Sequence, residues 1–166
     1  PLEKLYLTIK KLNLKIVENK SYLEKGFLKG IPIEGLNNLQ NQVFGLEINF
    51  EKLNAIDFKK GCYVGQENTA RMKLKNKLSK RLFPIEVIKG KLKEGSSIYY
   101  NNTEIGKILI ANEYPFAIIK YLNNEFNNKN ELKSENSLLK IIIPEWLNLN
   151  WNSFDYFSKN SITNWL

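Results

Sequence analysis

A chain of 166 residues that is 43% hydrophobic is long enough to close one or two small cores, and nothing in its composition suggests a disordered or fibrous protein. One cysteine and no histidine exclude an internal disulfide and histidine-based acid/base or triad chemistry within the chain, and leave only carboxylates for a self-contained zinc site. The net charge of +8 rests almost wholly on lysine, with 23 lysines among the 25 basic residues beside 23 asparagines and 18 isoleucines. That profile fits AT-rich codon usage and fits equally a surface selected for a polyanion.

No apolar run approaches the roughly twenty residues of a membrane span, and the first residues lack the layout of a signal peptide. A reducing compartment is expected: the cytoplasm in a bacterium, the mitochondrial matrix in a eukaryote. The chain opens on proline, "PLEKLYLTIKKLNL", as a piece of a longer protein would. Residues 4–18 alternate apolar side chains with lysine, which predicts strands around "KLYLTIK" and "LKIVE". Ser21-Tyr-Leu-Glu24 has the spacing of a capping box and predicts a helix from Tyr22 to Lys29. Gly30 then supplies the stop, and Ile31-Pro32 turns the backbone extended. Leu36, Leu39, Val43 and Phe44 suggest one more helix before Asp57.

"KKGCYVGQENTAR", residues 59–71, holds the single cysteine between two glycines. Gly61 and Gly65 permit a tight loop, and "QENTARMKL" after them can start a helix whose amide ends point back at it. Lys59, Lys60 and that helix start favour thiolate over thiol at Cys62, the condition for a nucleophilic, redox-active or metal-binding cysteine. The alternative is a small buried hydrophobe, against which a glycine-flanked, lysine-rich loop argues. Residues 71–93 hold nine basic residues against the one acid Glu86, a concentration that points to a polyanionic partner. Arg71 and Arg81 are the only arginines, and a bidentate carboxylate or phosphate contact would explain a guanidinium where lysine dominates.

After Ser79 come five β-rich runs, "RLFPIEVI", "SSIYY", "EIGKILIA", "FAIIKYL" and "SLLKIIIP", with turn residues between them and an asparagine-rich loop at 123–136. They predict a small antiparallel barrel. The fold class is α+β, divided into a mixed unit at 1–78, the barrel at 79–147 and a tail at 148–166. Aromatic spacing in that tail suits packing back on the barrel.

"KGCYVGQE", Lys60 to Glu67, resembles the signature of the folate-binding YgfZ proteins. These are relatives of the glycine-cleavage T-protein, an aminomethyltransferase, and assist iron–sulfur cluster enzymes. "GIP" at Gly30 to Pro32, "LEINFEKLNAIDFKKG", "EIGKIL" and "IIIPEWL" extend the resemblance over residues 20–147. Gly26 departs from it where many relatives have arginine, and Gly45 where proline is common. The resemblance implies that this chain is the carboxyl-terminal half of a three-part fold with tetrahydrofolate in a central cavity and the barrel as its last part. It also implies an accessory factor for assembly or repair of iron–sulfur enzymes, tRNA-modifying ones included, with iron–sulfur proteins as partners. Cys62 is then the residue needed for activity and a possible iron–sulfur ligand. Tyr63 and Gln66 contact a pterin or order the loop, Glu67 contacts a ligand or complements the helix dipole, and Arg71 suits a folate glutamate tail. Glu47 aligns with a glutamate near the folate pocket, or is a solvated strand-end carboxylate. An aminomethyltransferase and a basic RNA-binding module stay open as alternatives.

Overall fold

The computed structural model describes residues 2–74, 78–120 and 131–147. Four helices come first: α1 (Leu2–Lys11), α2 (Asn19–Leu28), α3 (Leu36–Leu39) and α4 (Gln66–Leu74). Six strands follow: β1 (Lys80–Lys89), β2 (Ser97–Tyr100), β3 (Thr103–Ile110), β4 (Phe116–Lys120), β5 (Leu132–Ser134) and β6 (Ser137–Ile141). The α+β class holds, with the helices in the first half and a closed antiparallel barrel in the second.

The strands expected at 4–18 are not formed. Leu2, Leu5, Ile9 and Leu12 recur at helical spacing, and "KLYLTIK" lies within α1. A helix satisfies its N–H and C=O groups locally, whereas a strand needs a neighbouring edge, and among the described residues the first half offers none. Asn13 ends α1 at φ +50°. Its N–H donates to the Lys10 carbonyl at 3.2 Å and the Leu14 N–H donates to the Ile9 carbonyl at 2.9 Å, the paired bonds of a Schellman stop. "LKIVE" follows without regular structure.

Helix α2 starts ahead of its expected position, and the capping box does not form. Glu18 stands at the N-cap without a side-chain bond, and the Ser21 N–H is already taken by the Glu18 carbonyl at 3.1 Å, which puts Ser21 inside the first turn. The stop at Gly30 is as expected, with φ +71° and the Gly30 N–H donating to the Phe27 carbonyl at 2.8 Å. Beyond it, a hydrogen on Gly30 is all the space allows, because a Cβ there would lie 2.7 Å from Pro144. The Trp146 indole N–H donates to the Lys29 carbonyl at 2.8 Å. Thus "GIP" and "IIIPEWL" meet in space and clasp the end of α2 to the chain beyond β6.

The barrel closes in the order β1-β4-β3-β2-β5-β6. All five expected strands are present, and β5 is the addition, inside the stretch expected to be a loop. "LKSENS" carries it: Leu132 and Ser134 point inward around outward Lys133, Glu135 turns at φ +41°, and Ser134 pairs with Ser137. Phe83, Ile85, Ile98, Ile105, Leu132 and Leu139 are among the buried residues that fill the interior. A second core joins the two halves, with Leu39 and Ile48 packed on Leu82, Leu109 and Phe116. The tail at 148–166 and most of the asparagine-rich loop lie outside the described residues.

Helix α2 is fastened at each end by a charge pair, Lys20 to Glu113 at 2.7 Å and Lys29 to Glu145 at 2.9 Å. Between them the Phe27 ring sits 5.6 Å from the rings of Tyr114 and Phe116. The hydrogen bond from Lys29 holds the Glu145 carboxyl below its ordinary value of 4.5. A depressed carboxylate adds stability above its unfolded value, and that share is lost as pH falls through the folded value. Glu145→Gln should therefore lower the melting temperature by at most about 2 °C at pH 7, since the pair is exposed, and should cease to matter in acid well below pH 4.5. Melting curves of both proteins from pH 7 to pH 3 check this.

The Cys62 loop as candidate functional site

The loop between Phe58 and Gly65 is set by local bonds. The Lys59 N–H donates to Asp57 Oδ1 at 2.8 Å, turning the chain outward. Gly65 takes φ +85°, which brings the Gln66 N–H to the Tyr63 carbonyl at 3.1 Å. Helix α4 starts at Gln66, and Thr69 bonds back to the Gly65 carbonyl through its N–H at 3.2 Å and its hydroxyl at 3.0 Å. Two cations brace the base of the loop. The Lys60 ammonium lies 4.7 Å from the centre of the Tyr63 ring, and Lys73 sits 3.8 Å over Phe58 while bonding Glu51 at 2.8 Å.

Cys62 is exposed, as a reactive or ligating thiol requires. Gly61 and Gly65 have no neighbouring atom within 4 Å of where a side chain would start, and Val64 at the tip is fully exposed. Tyr63 points the other way: its hydroxyl is out of solvent and has no hydrogen-bond partner among the described residues. Gln66 is half-buried at the head of α4.

The remaining expected site residues are held elsewhere. Arg71 donates through one guanidinium nitrogen to Glu67 on its own helix at 2.6 Å. Glu47 is 4% exposed and fastens the 44–50 turn to the barrel. Its Oε2 accepts the Phe44 N–H at 2.9 Å, Oε1 lies 3.6 Å from the Lys80 ammonium, and its backbone carbonyl accepts the Leu82 N–H at 2.8 Å. It is buried, and so is not a solvated strand-end carboxylate. Removing it strands a backbone donor and a half-buried cation, so Glu47→Ala should cost about 1–3 kcal/mol, read as a lower urea midpoint. The same latch contains Asn49, which sequence reasoning missed. Its amide donates to the Leu82 carbonyl at 3.0 Å, and its oxygen accepts from Arg81 at 2.6 Å. A local signal existed only in hindsight, since Asn49 has φ +65° and asparagine tolerates that conformation.

Four of the described basic residues of the run 71–93 have polar partners close by. Arg71, Lys73 and Lys80 face Glu67, Glu51 and Glu47, Arg81 faces Asn49, and the run passes from α4 into β1. Among the described residues no group of three or more His, Cys, Asp and Glu side chains is placed to hold a metal ion. Of the four residues expected to contact tetrahydrofolate, Tyr63 lies on the loop, Gln66 and Arg71 on α4, and Glu47 in the 44–50 turn.

The fold and the loop together define a class: a closed antiparallel barrel bearing a helical unit that displays one exposed cysteine on a glycine-hinged turn. No family model matches the chain. It is 30% identical over 159 residues to the tRNA-modifying protein YgfZ of Buchnera aphidicola, an alignment covering 81% of this chain and 50% of that protein. It is 41% identical over 69 residues to the mitochondrial iron–sulfur cluster assembly factor IBA57 homolog of Neurospora crassa, covering 42% and 16%. The human mitochondrial IBA57 protein is 41% identical over 68 residues, covering 40% and 19%. The chain is similar to YgfZ and IBA57 proteins and spans half the length, or less, of these relatives.

Proposed function

We propose that the chain acts, within a family-length assembly, as a YgfZ-type accessory factor that supports assembly or repair of iron–sulfur enzymes through the Cys62 loop. The observation that carries this reading is the exposed thiol itself, presented in open space between Gly61 and Gly65 in "KGCYVGQE". A thiolate is both a nucleophile and a soft-metal ligand, and one exposed thiol suits contact with a partner better than a self-contained metal centre. The relatives' names supply the partner class, iron–sulfur assembly in two and tRNA modification in the third. The compartment follows the host, mitochondrial in a eukaryote and cytoplasmic in a bacterium. A direct tRNA interface on residues 71–93 is the weaker expectation, because the paired side chains there are already engaged.

The test is a chimera in which residues 2–147 replace the matching stretch of the Buchnera protein. Expressed in a bacterium lacking its own YgfZ, it should restore the activity of an iron–sulfur tRNA-modifying enzyme. A stable, soluble chimera that restores nothing sinks the reading.

Folate binding, in this reading, belongs to the assembled protein, because a cavity built by several parts loses its walls when one is absent. Calorimetry of the 166-residue chain with tetrahydrofolate should show no binding tighter than about 1 mM. Micromolar binding by the chain alone would place the pocket within it.

A further inference from the structure

Little packing holds the direction of the Cys62 loop and α4. Helix α4 has no buried residue; Gln66, Thr69, Ala70 and Met72 are half-buried, and none of them belongs to either core. The loop and cap bonds of Gln66, Thr69 and Arg71 stay within residues 63–71, and the contact of Lys60 with Tyr63 is internal to the loop. Lys73 reaches outside. Its ammonium bonds Glu51 at 2.8 Å and stands 3.8 Å over the Phe58 ring, so the end of α4 is clasped to the residue from which the loop departs.

The anchor of this clasp is tied to the barrel. Glu51 follows Phe50, which packs against the second core, and Asn49, whose amide bonds the Leu82 carbonyl of β1. The clasp is also shielded, since Lys73 and Glu51 are 27% and 39% exposed against 58% and 83% for Arg71 and Glu67. Ion pairs and cation–π contacts strengthen as water is withdrawn. Lys73 lies about 10 Å along the helix from Gln66. A fastening at that distance fixes the axis of α4, which Gly65, at φ +85° with open space around it, would otherwise leave free to pivot.

We propose that Lys73 is a positioning residue for Cys62: through Glu51 and Phe58 it fixes the direction in which the loop presents its thiol to a partner protein. The proposal rests on the reading of the Cys62 loop as the functional site. Order already present is order that the partner need not impose, so the clasp acts on the concentration of factor required and not on the chemistry at sulfur.

The single cysteine gives a direct test. In the 166-residue chain, a nitroxide attached to Cys62 should show restricted motion. Lys73→Met, which keeps an unbranched apolar stem and removes the charge, should raise its rotational rate at least about threefold. Lys73→Arg should restore the original spectrum, because a guanidinium also pairs with a carboxylate and stacks on a ring. Amides 66–74 should exchange about tenfold faster in the methionine variant with the urea midpoint of the barrel unchanged. Iodoacetamide should alkylate its thiol at the wild-type rate, the thiol being exposed with or without the clasp. Titrated into an extract of the bacterium lacking its own YgfZ, the chimera carrying Lys73→Met should need about tenfold more protein for half-maximal support of the iron–sulfur enzyme, with the maximum unchanged. A label equally restricted in Lys73→Met, or one that Lys73→Arg leaves loose, would overturn the proposal. So would an unchanged half-maximal concentration or a fall in the maximum alone. A wild-type chimera that restores nothing removes the iron–sulfur reading, and the label spectra then decide the positioning role by themselves.

Discussion

Cys62→Ser in the chimera should abolish support of the iron–sulfur enzyme while leaving the protein folded. The serine hydroxyl matches the thiol in size, and the position is exposed in open space, so no packing is lost and stability should change by less than about 0.5 kcal/mol. What is lost is chemistry, because serine is neither a comparable nucleophile nor a soft-metal ligand at neutral pH. The expected fall in client activity is about 100-fold or to background, a scale typical of removing a reacting group. Val64→Ala, two residues on and equally free of neighbours, is the control for surface contact alone. Alkylation of the folded protein by iodoacetamide should reproduce the serine effect. Full rescue by the serine protein would reduce "KGCYVGQE" to a structural turn.

Gly106→Ala is expected to be severely damaging for a single added methyl. A Cβ at Gly106 would fall on the Ile118 carbonyl of the neighbouring strand and lie 3.1 Å from the Ile119 Cα. Both obstacles are backbone of β4, held by the β3–β4 register that pairs Gly106 with Ile119, so no side chain can swing aside. Strand separation at that point breaks ladder bonds inside a closed sheet, and the cost should be about 3 kcal/mol or more, read as a urea midpoint shift or failure to fold. Gly61→Ala supplies the contrast, since nothing lies within 4 Å of it and the change should be nearly silent for stability. The glycine of "EIGKIL" is therefore a close approach of two strands within a sheet.

Strands with sharp turn residues between them were legible because their periodicity and punctuation are local, and so was the Gly30 stop. Strand β5 was not, because three residues inside an asparagine-rich stretch carry too little alternation to stand out. The segment 4–11 failed for a different reason. Leu5, Leu7 and Ile9 satisfy a period of two while Leu2, Leu5 and Ile9 satisfy a helical one, and only the absence of a neighbouring strand among the described residues decides between them. At the site, the loop was readable from its glycines and its cysteine. The ion pairs that Glu47 and Arg71 make were not legible, because their partners, Lys80 and Glu67, look on paper like any other surface charges.

The clasp at Trp146 has a bearing on how the chain is made. Trp146 bonds the Lys29 carbonyl across a separation of 117 residues, and β6 zips to β1 over a span nearly half as long. During synthesis α2 leaves the ribosome long before the residues that pin its end, so its Phe27 must wait uncovered until β3 and β4 arrive. The last turn of α2 therefore locks after the barrel has closed. A chain truncated before Pro144 and released would carry all six described strands and a helix free to fray at Lys29.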